Sequence, residues 1–98
     1  MKIGDKYDRF MSGAMMRAKN GALYFLDSYG SLWVKEAGTP SDPSSSYGWR
    51  TCVAGGIRGI PLQTFVAVLA PLTVVAIGTG DETPEDLARY EAEVPAPD

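Results

Sequence analysis

The longest hydrophobic pattern in this chain is an uncharged run of 22 residues, positions 59–80, between Arg58 and Asp81. One glutamine and three threonines are its only polar side chains. Pro61 suits a first helical position, and glycines near the end of the run suit a helix stop. At 1.5 Å per residue such a helix would reach about 33 Å, enough for a hydrocarbon core of ~30 Å. The run therefore predicts a helix that is apolar on all sides and must be buried in lipid or protein.

Two interpretations of the run remain open. The favoured one is a single membrane span kinked at Pro71, because membrane helices tolerate an internal proline better than helices in water. The alternative is a buried helix or strand of a soluble domain. A hairpin is disfavoured, because residues 70–72 make a poor turn and both faces would need cover. The residues assigned to the span are Leu62, Phe65, Val66, Leu69, Pro71, Leu72, Val75 and Ile77.

Residues 5–19 show the spacing of an amphipathic helix. Asp5 is a suitable N-cap, and Asn20-Gly21 supplies a left-handed stop. The pattern predicts an N-terminal helix with one apolar face. Its apolar positions are Tyr7, Phe10, Met11, Ala14, Met15 and Ala18.

Residues 22–36 predict a β-hairpin, because two segments rich in aromatic and branched side chains flank a turn. Asp27 and Gly30 occupy the first and fourth turn positions, as a type I turn prefers. A Pro/Ser-rich linker over residues 37–48 follows, and a short third strand is expected from Trp49 to Ala54.

The C-terminal segment predicts a short acidic helix. Thr83 is a suitable N-cap, Pro84 a suitable first residue, and Glu85 and Asp86 place acids in the first turn. The helix should end at about Ala92, before a segment with two prolines.

Charge divides the chain at the apolar run. Residues 1–80 carry eight Lys/Arg and five Asp/Glu, which gives a net charge of +3. Residues 81–98 carry one arginine and seven Asp/Glu, which gives a net charge of −6. For a membrane protein, this asymmetry places the N-terminal side in the cytoplasm, matrix or stroma. The expected organisation is a helix-plus-hairpin region over 1–58, a span over 59–80 and an acidic tail over 81–98. The alternative is a soluble cytoplasmic α+β domain with a helix packed on an antiparallel sheet.

Catalytic and metal chemistry has few suitable side chains in this sequence. The chain has no histidine and one cysteine, Cys52. Triads that use histidine and metal cages built from His and Cys are therefore excluded. The glycine-rich loop 55–59 lacks the Lys-Ser/Thr of a phosphate-binding loop. Scattered cations and an acidic tail do not favour nucleic-acid binding. We expect a non-enzymatic protein without metal or cofactor.

The favoured function is a single-span accessory subunit or scaffold that packs into a larger membrane protein complex. The alternative is a small soluble interaction module, such as an inhibitor of phage or mobile-element type, that binds a protein partner through acidic and aromatic surfaces. A small-ligand binder that uses loop 55–59 is a third possibility. The interface candidates are Tyr24, Tyr29, Trp33, Trp49 and Arg58.

Overall fold

The computed structural model describes residues 1–36, 48–51 and 69–94. Within these residues, six strands form one antiparallel sheet in the order β1-β6-β2-β3-β4-β5, with one helix packed against it. The elements are β1 (Lys6–Tyr7), β2 (Ala14–Arg17), β3 (Leu23–Leu26), β4 (Leu32–Lys35), β5 (Arg50–Thr51), β6 (Leu72–Ile77) and α1 (Pro84–Ala92).

Buried apolar side chains cover both faces of the sheet. One cluster contains Met16, Tyr24, Leu72 and Val74, with Phe10 and Met11 of the segment between β1 and β2 packed against it. The other cluster contains Met15, Phe25 and Trp49 together with Leu87 and Ala88 of α1. Successive strand residues point to opposite faces, so a continuous apolar strand is stable when both faces are covered.

The second half of the apolar run is the inner strand β6, not a transmembrane helix. β6 lies between β1 and β2, and Lys6 and Tyr7 of β1 pair with Thr73 and Leu72. Its residues divide between the two core clusters, and a bulge opposite Met15 and Met16 places both Val75 and Ala76 against the second one.

The membrane interpretation is therefore wrong. Among the described residues no helix has the length and apolar character needed to cross a bilayer. The N-terminal segment and α1 supply the cover that a strand at this position was expected to lack. The single-span architecture and the membrane location that depended on it are corrected by this finding. Residues 59–68 lie outside the described part of the chain.

Residues 5–19 do not form the predicted amphipathic helix; they contribute β1 and β2. Gly13 has φ of +81°, outside the helical region. The helical spacing was misleading because β2 is buried on both faces, with Ala14 and Met16 in one cluster and Met15 in the other. Backbone pairing of β2 with β3 and β6 overrides the local helical preference.

Two predicted elements are present. β3 and β4 form the hairpin, and the Gly30 N–H donates to the Asp27 carbonyl oxygen across its turn (3.2 Å). α1 starts after Thr83, begins with Pro84 and ends at Ala92. Part of the expected third strand is present as β5. A helix packed on an antiparallel sheet resembles the alternative fold in outline, but the helix is the C-terminal one and the structure is mostly sheet.

Candidate functional site

The turn between β3 and β4 is organised by the Asp27 side chain. Asp27 Oδ1 accepts the backbone N–H groups of Tyr29 (2.9 Å) and Ser31 (2.8 Å). Asp27 Oδ2 accepts the indole N–H of Trp33 (3.1 Å). The side chain is buried at 9% exposure, where unpaired polar atoms are costly. These three bonds hold the turn in one conformation.

The loop after β6 is organised by a second buried carboxylate, that of Glu82 at 8% exposure. Glu82 Oε1 accepts the N–H groups of Thr79 (2.7 Å) and Gly80 (2.9 Å), and Oε2 accepts the Thr79 hydroxyl (2.9 Å). Successive backbone N–H groups that converge in this way form an anion-binding concavity. Here a carboxylate of the chain itself occupies it. Gly78 leaves the necessary room, because a Cβ there would overlap Glu82.

The turn and the loop are in direct contact. The Ser28 N–H donates to the Gly80 carbonyl oxygen (2.9 Å), and the Ser28 hydroxyl donates to Asp81 Oδ1 (2.8 Å). The Asp81 N–H also donates to the Thr79 hydroxyl oxygen (3.3 Å). We name residues 27–30 and 78–82 together the tip surface. Both of its segments have their backbone and their key side chains fixed by hydrogen bonds.

Negative charge is concentrated at the tip surface. Asp27, Asp81 and Glu82 bring three carboxylates there, and none of them belongs to an ion pair among the described residues. The ion pairs found in that part of the chain lie on or beside β4, β5 and α1. Hydrogen bonds satisfy the two buried carboxylates, but no basic side chain of the described residues neutralises their negative charges. The arrangement therefore favours an approaching cation.

Tyr29 is the aromatic residue that the tip surface presents to solvent, with 83% of its surface exposed. The other aromatic interface candidates are more buried than Tyr29. Tyr24 and Trp49 are buried in the two core clusters, and Trp33 is partly buried beside the second. Their proposed contact with a partner stays a prediction, but Tyr29 has the most surface available for contact.

The remaining candidate residues divide between the sheet and the part of the chain that is not described. Leu69 and Leu72 are buried in the first core cluster, and Val75 is packed beside the second. Ile77 is exposed at the end of β6, and Pro71 is exposed immediately before it. The residues that lie outside the described ranges are Leu62, Phe65, Val66, Arg58 and those of loop 55–59.

A shallow cleft of about 460 Å³ lies beside β1 and the start of β6. Its lining residues are Lys6, Tyr7, Asp8, Ala70 and Pro71. The cleft is open to solvent, and its lining carries one charge of each sign. A small-molecule site normally encloses its ligand and aims several polar groups at it. The cleft therefore offers less specific recognition than the tip surface.

Sequence reasoning placed Asp27 in a turn but missed the roles of Ser28, Asp81 and Glu82. The available signal was the segment Gly78-Thr79-Gly80-Asp81-Glu82, in which small residues precede two acids at the end of an apolar run. Nothing local indicates that this loop meets a turn 53 positions earlier in the sequence. The pairing of β6 beside β2, which in turn pairs with β3, brings the two segments together.

No known protein family matches this chain, and neither the curated proteins nor the solved structures include a match to it. The functional argument therefore depends on the geometry and chemistry of the described residues.

Proposed function

We propose that this protein is a non-catalytic interaction module that binds a protein partner through the tip surface, with Tyr29 as the central contact. The observation that carries the proposal is a highly exposed tyrosine on a turn held by hydrogen bonds, in a surface whose carboxylates form no ion pair among the described residues. Tyrosine is enriched at the energetically dominant positions of protein interfaces. This function is the acidic and aromatic interaction module that the sequence offered as its alternative.

Rigidity supports the proposal, because binding is weakened by every group that must be ordered on association. Each flexible side chain that becomes ordered at an interface reduces the free energy of binding by about 0.5–1.5 kcal/mol. Asp27 fixes the backbone at Tyr29, and Ser28 joins the turn to the loop after β6. Most of the ordering of this surface is therefore complete before a partner arrives.

The state of the buried carboxylates supports a binding role over a catalytic one. Asp27 and Glu82 each accept three protein N–H or O–H groups. A general base must instead reach the proton that it removes from a substrate. The Asp27 and Glu82 carboxylates are occupied by hydrogen bonds that stabilise the turn and the loop.

Photo-crosslinking tests the proposal. Benzoylphenylalanine is placed at Tyr29 or, as a control, at Lys19, which is exposed in the turn at the opposite end of β3. Each protein is incubated with an extract of the source organism. We expect one protein to crosslink at position 29 and not at position 19. The crosslinked protein is then bound to immobilised wild-type protein or to immobilised Tyr29→Ala, neither carrying a crosslinker. We expect Tyr29→Ala to bind it about 30-fold more weakly, which corresponds to a loss of about 2 kcal/mol at a dominant contact.

A folded Tyr29→Ala variant is required for this comparison, and its free energy of unfolding should stay within about 0.5 kcal/mol of wild type because the side chain is exposed. Equal crosslinking at both positions, or undiminished capture by Tyr29→Ala, would refute the proposed function.

A further inference from the structure

We infer that the partner group received by the tip surface is an arginine side chain, whose guanidinium stacks on the Tyr29 ring and pairs with the Asp81 carboxylate. This inference rests on the proposed function and specifies the partner's chemistry. The tip surface carries the exposed carboxylate of Asp81 and the buried carboxylates of Asp27 and Glu82, and none of the three forms an ion pair among the described residues.

The orientation of Asp81 is set before a partner binds. The Ser28 hydroxyl donates to Asp81 Oδ1, and Thr79 Oγ1 accepts the Asp81 N–H. Asp81 is exposed, and no described residue bonds to its Oδ2. An incoming donor therefore meets a carboxylate whose position is fixed and whose second oxygen is available.

The Tyr29 ring is the second half of the proposed site. Tyr29 directly follows Ser28, the residue whose hydroxyl donates to Asp81 Oδ1. The Tyr29 N–H is held by Asp27 Oδ1, which fixes the backbone from which the ring projects. A π face and a carboxylate are the two kinds of group by which a planar cation is recognised, and Tyr29 and Asp81 supply one of each.

Arginine fits this pair better than lysine. A guanidinium is planar, stacks on aromatic faces, and presents donors in a fork that matches a carboxylate. It is also less strongly hydrated than an ammonium group, so it loses less on leaving water for an exposed site. Lysine would meet Asp81 as a point charge and would gain little from the ring. We therefore expect an arginine-containing partner segment to be preferred by about two- to fivefold.

A peptide titration tests this inference without knowledge of the natural partner. The probes are acetyl-Gly-Arg-Gly-Arg-Gly-amide and the same peptide with lysine in both places, added to the ¹⁵N-labelled full-length protein. We expect the arginine peptide to shift the amide resonances of Ser28, Tyr29 and Asp81, with an affinity about two- to fivefold above that of the lysine peptide.

Four variants separate the two contacts from general electrostatic attraction. Tyr29→Leu keeps an apolar side chain but removes the π face, and Asp81→Asn removes the charge. Each should reduce affinity for the arginine peptide by about two- to fivefold. Tyr29→Phe keeps the ring and should bind like wild type. Glu93→Gln removes an exposed acid at the end of α1 and should also bind like wild type.

Equal affinity for the two peptides, full binding by Tyr29→Leu, or shifts confined to α1 would overturn the arginine assignment. These results are distinguishable from failure of the proposed function. A partner that crosslinks at position 29 while the peptides fail to discriminate would leave the interaction module standing without arginine. A selective peptide response with no crosslinked protein would leave the arginine site without the proposed partner.

Discussion

At the scale of single residues, Glu82 is the side chain on which the loop after β6 depends. Its two oxygens satisfy the N–H groups of Thr79 and Gly80 and the Thr79 hydroxyl. Removing one member of a buried hydrogen-bonded set leaves its partners unsatisfied, at about 1–3 kcal/mol for each group. The tip surface therefore has a structural requirement that is separate from any contact with a partner.

We predict that Glu82→Ala lowers the free energy of unfolding by about 3 kcal/mol, since two backbone N–H groups lose their acceptor. Urea denaturation followed by tryptophan fluorescence measures the change. Glu93→Ala is the matched control, because Glu93 is exposed and its loss should alter stability by no more than about 0.5 kcal/mol. Similar midpoints for the two variants would mean that Glu82 does not support the loop.

At the scale of elements, α1 is defined by its first turn. The Asp86 N–H donates to the Thr83 hydroxyl oxygen (3.3 Å), and the Thr83 N–H donates to Asp86 Oδ2 (3.0 Å). This reciprocal pair satisfies two N–H groups at the start of the helix. Because Leu87 and Ala88 follow at once and lie in the second core cluster, the cap also sets where the helix meets the sheet.

We predict that Thr83→Ala lowers the free energy of unfolding by about 1 kcal/mol, the usual value for loss of an N-cap side chain. Thr83→Ser keeps a hydroxyl acceptor and should remain within a few tenths of a kcal/mol of wild type. Thermal unfolding by circular dichroism compares the three proteins. An equal loss in both variants would show that the methyl group of Thr83, and not its hydroxyl, stabilises α1.

An ion pair also joins β4 to α1. Lys35 Nζ on β4 lies 2.8 Å from Glu91 Oε1 on α1. The Lys35 side chain is 5% exposed. A buried pair of this kind gives little net stability, because removing both ions from water costs about as much as their attraction returns. The pair links β4 directly to α1.

At the scale of the whole molecule, stability comes from a sheet whose two faces are both covered. β6 shows this best, since Leu72 and Val74 face one core cluster while Val75 and Ala76 face the other. The strand is therefore covered both by segments far from it in the sequence and by α1, which follows it closely. Burial in protein, and not in lipid, accounts for the apolar composition of these residues.

Two residues once assigned to a membrane span give a matched test of this arrangement. Leu72 is fully buried, whereas Ile77 is 47% exposed at the end of the same strand. We predict that Leu72→Ala lowers the free energy of unfolding by about 2–5 kcal/mol, and Ile77→Ala by less than about 1 kcal/mol. Urea denaturation of the purified proteins measures both changes. Comparable effects at the two positions would contradict the burial of β6 described above.

Elements that depend on local signals were predictable from the sequence alone. Asp27 and Gly30 marked the β3–β4 turn, and Thr83, Pro84 and the acids after them marked the start of α1, because turns and caps depend on groups only a few residues apart. The same reasoning named two parts of the tip surface, Tyr29 as an interface candidate and the acidic segment that follows β6.

Whether the apolar segments form helices or strands depends on the tertiary structure. Ala14 and Met15 fit one face of a helix as well as a strand buried on both faces, and residues 72–77 fit a span as well as an inner strand. An apolar side chain shows that a position is buried, but not which element or medium buries it. Pairing and cover from distant parts of the chain made the choice. The contact of Ser28 with Asp81 has the same origin, since it joins positions 53 apart and exists only once β6, β2 and β3 lie side by side.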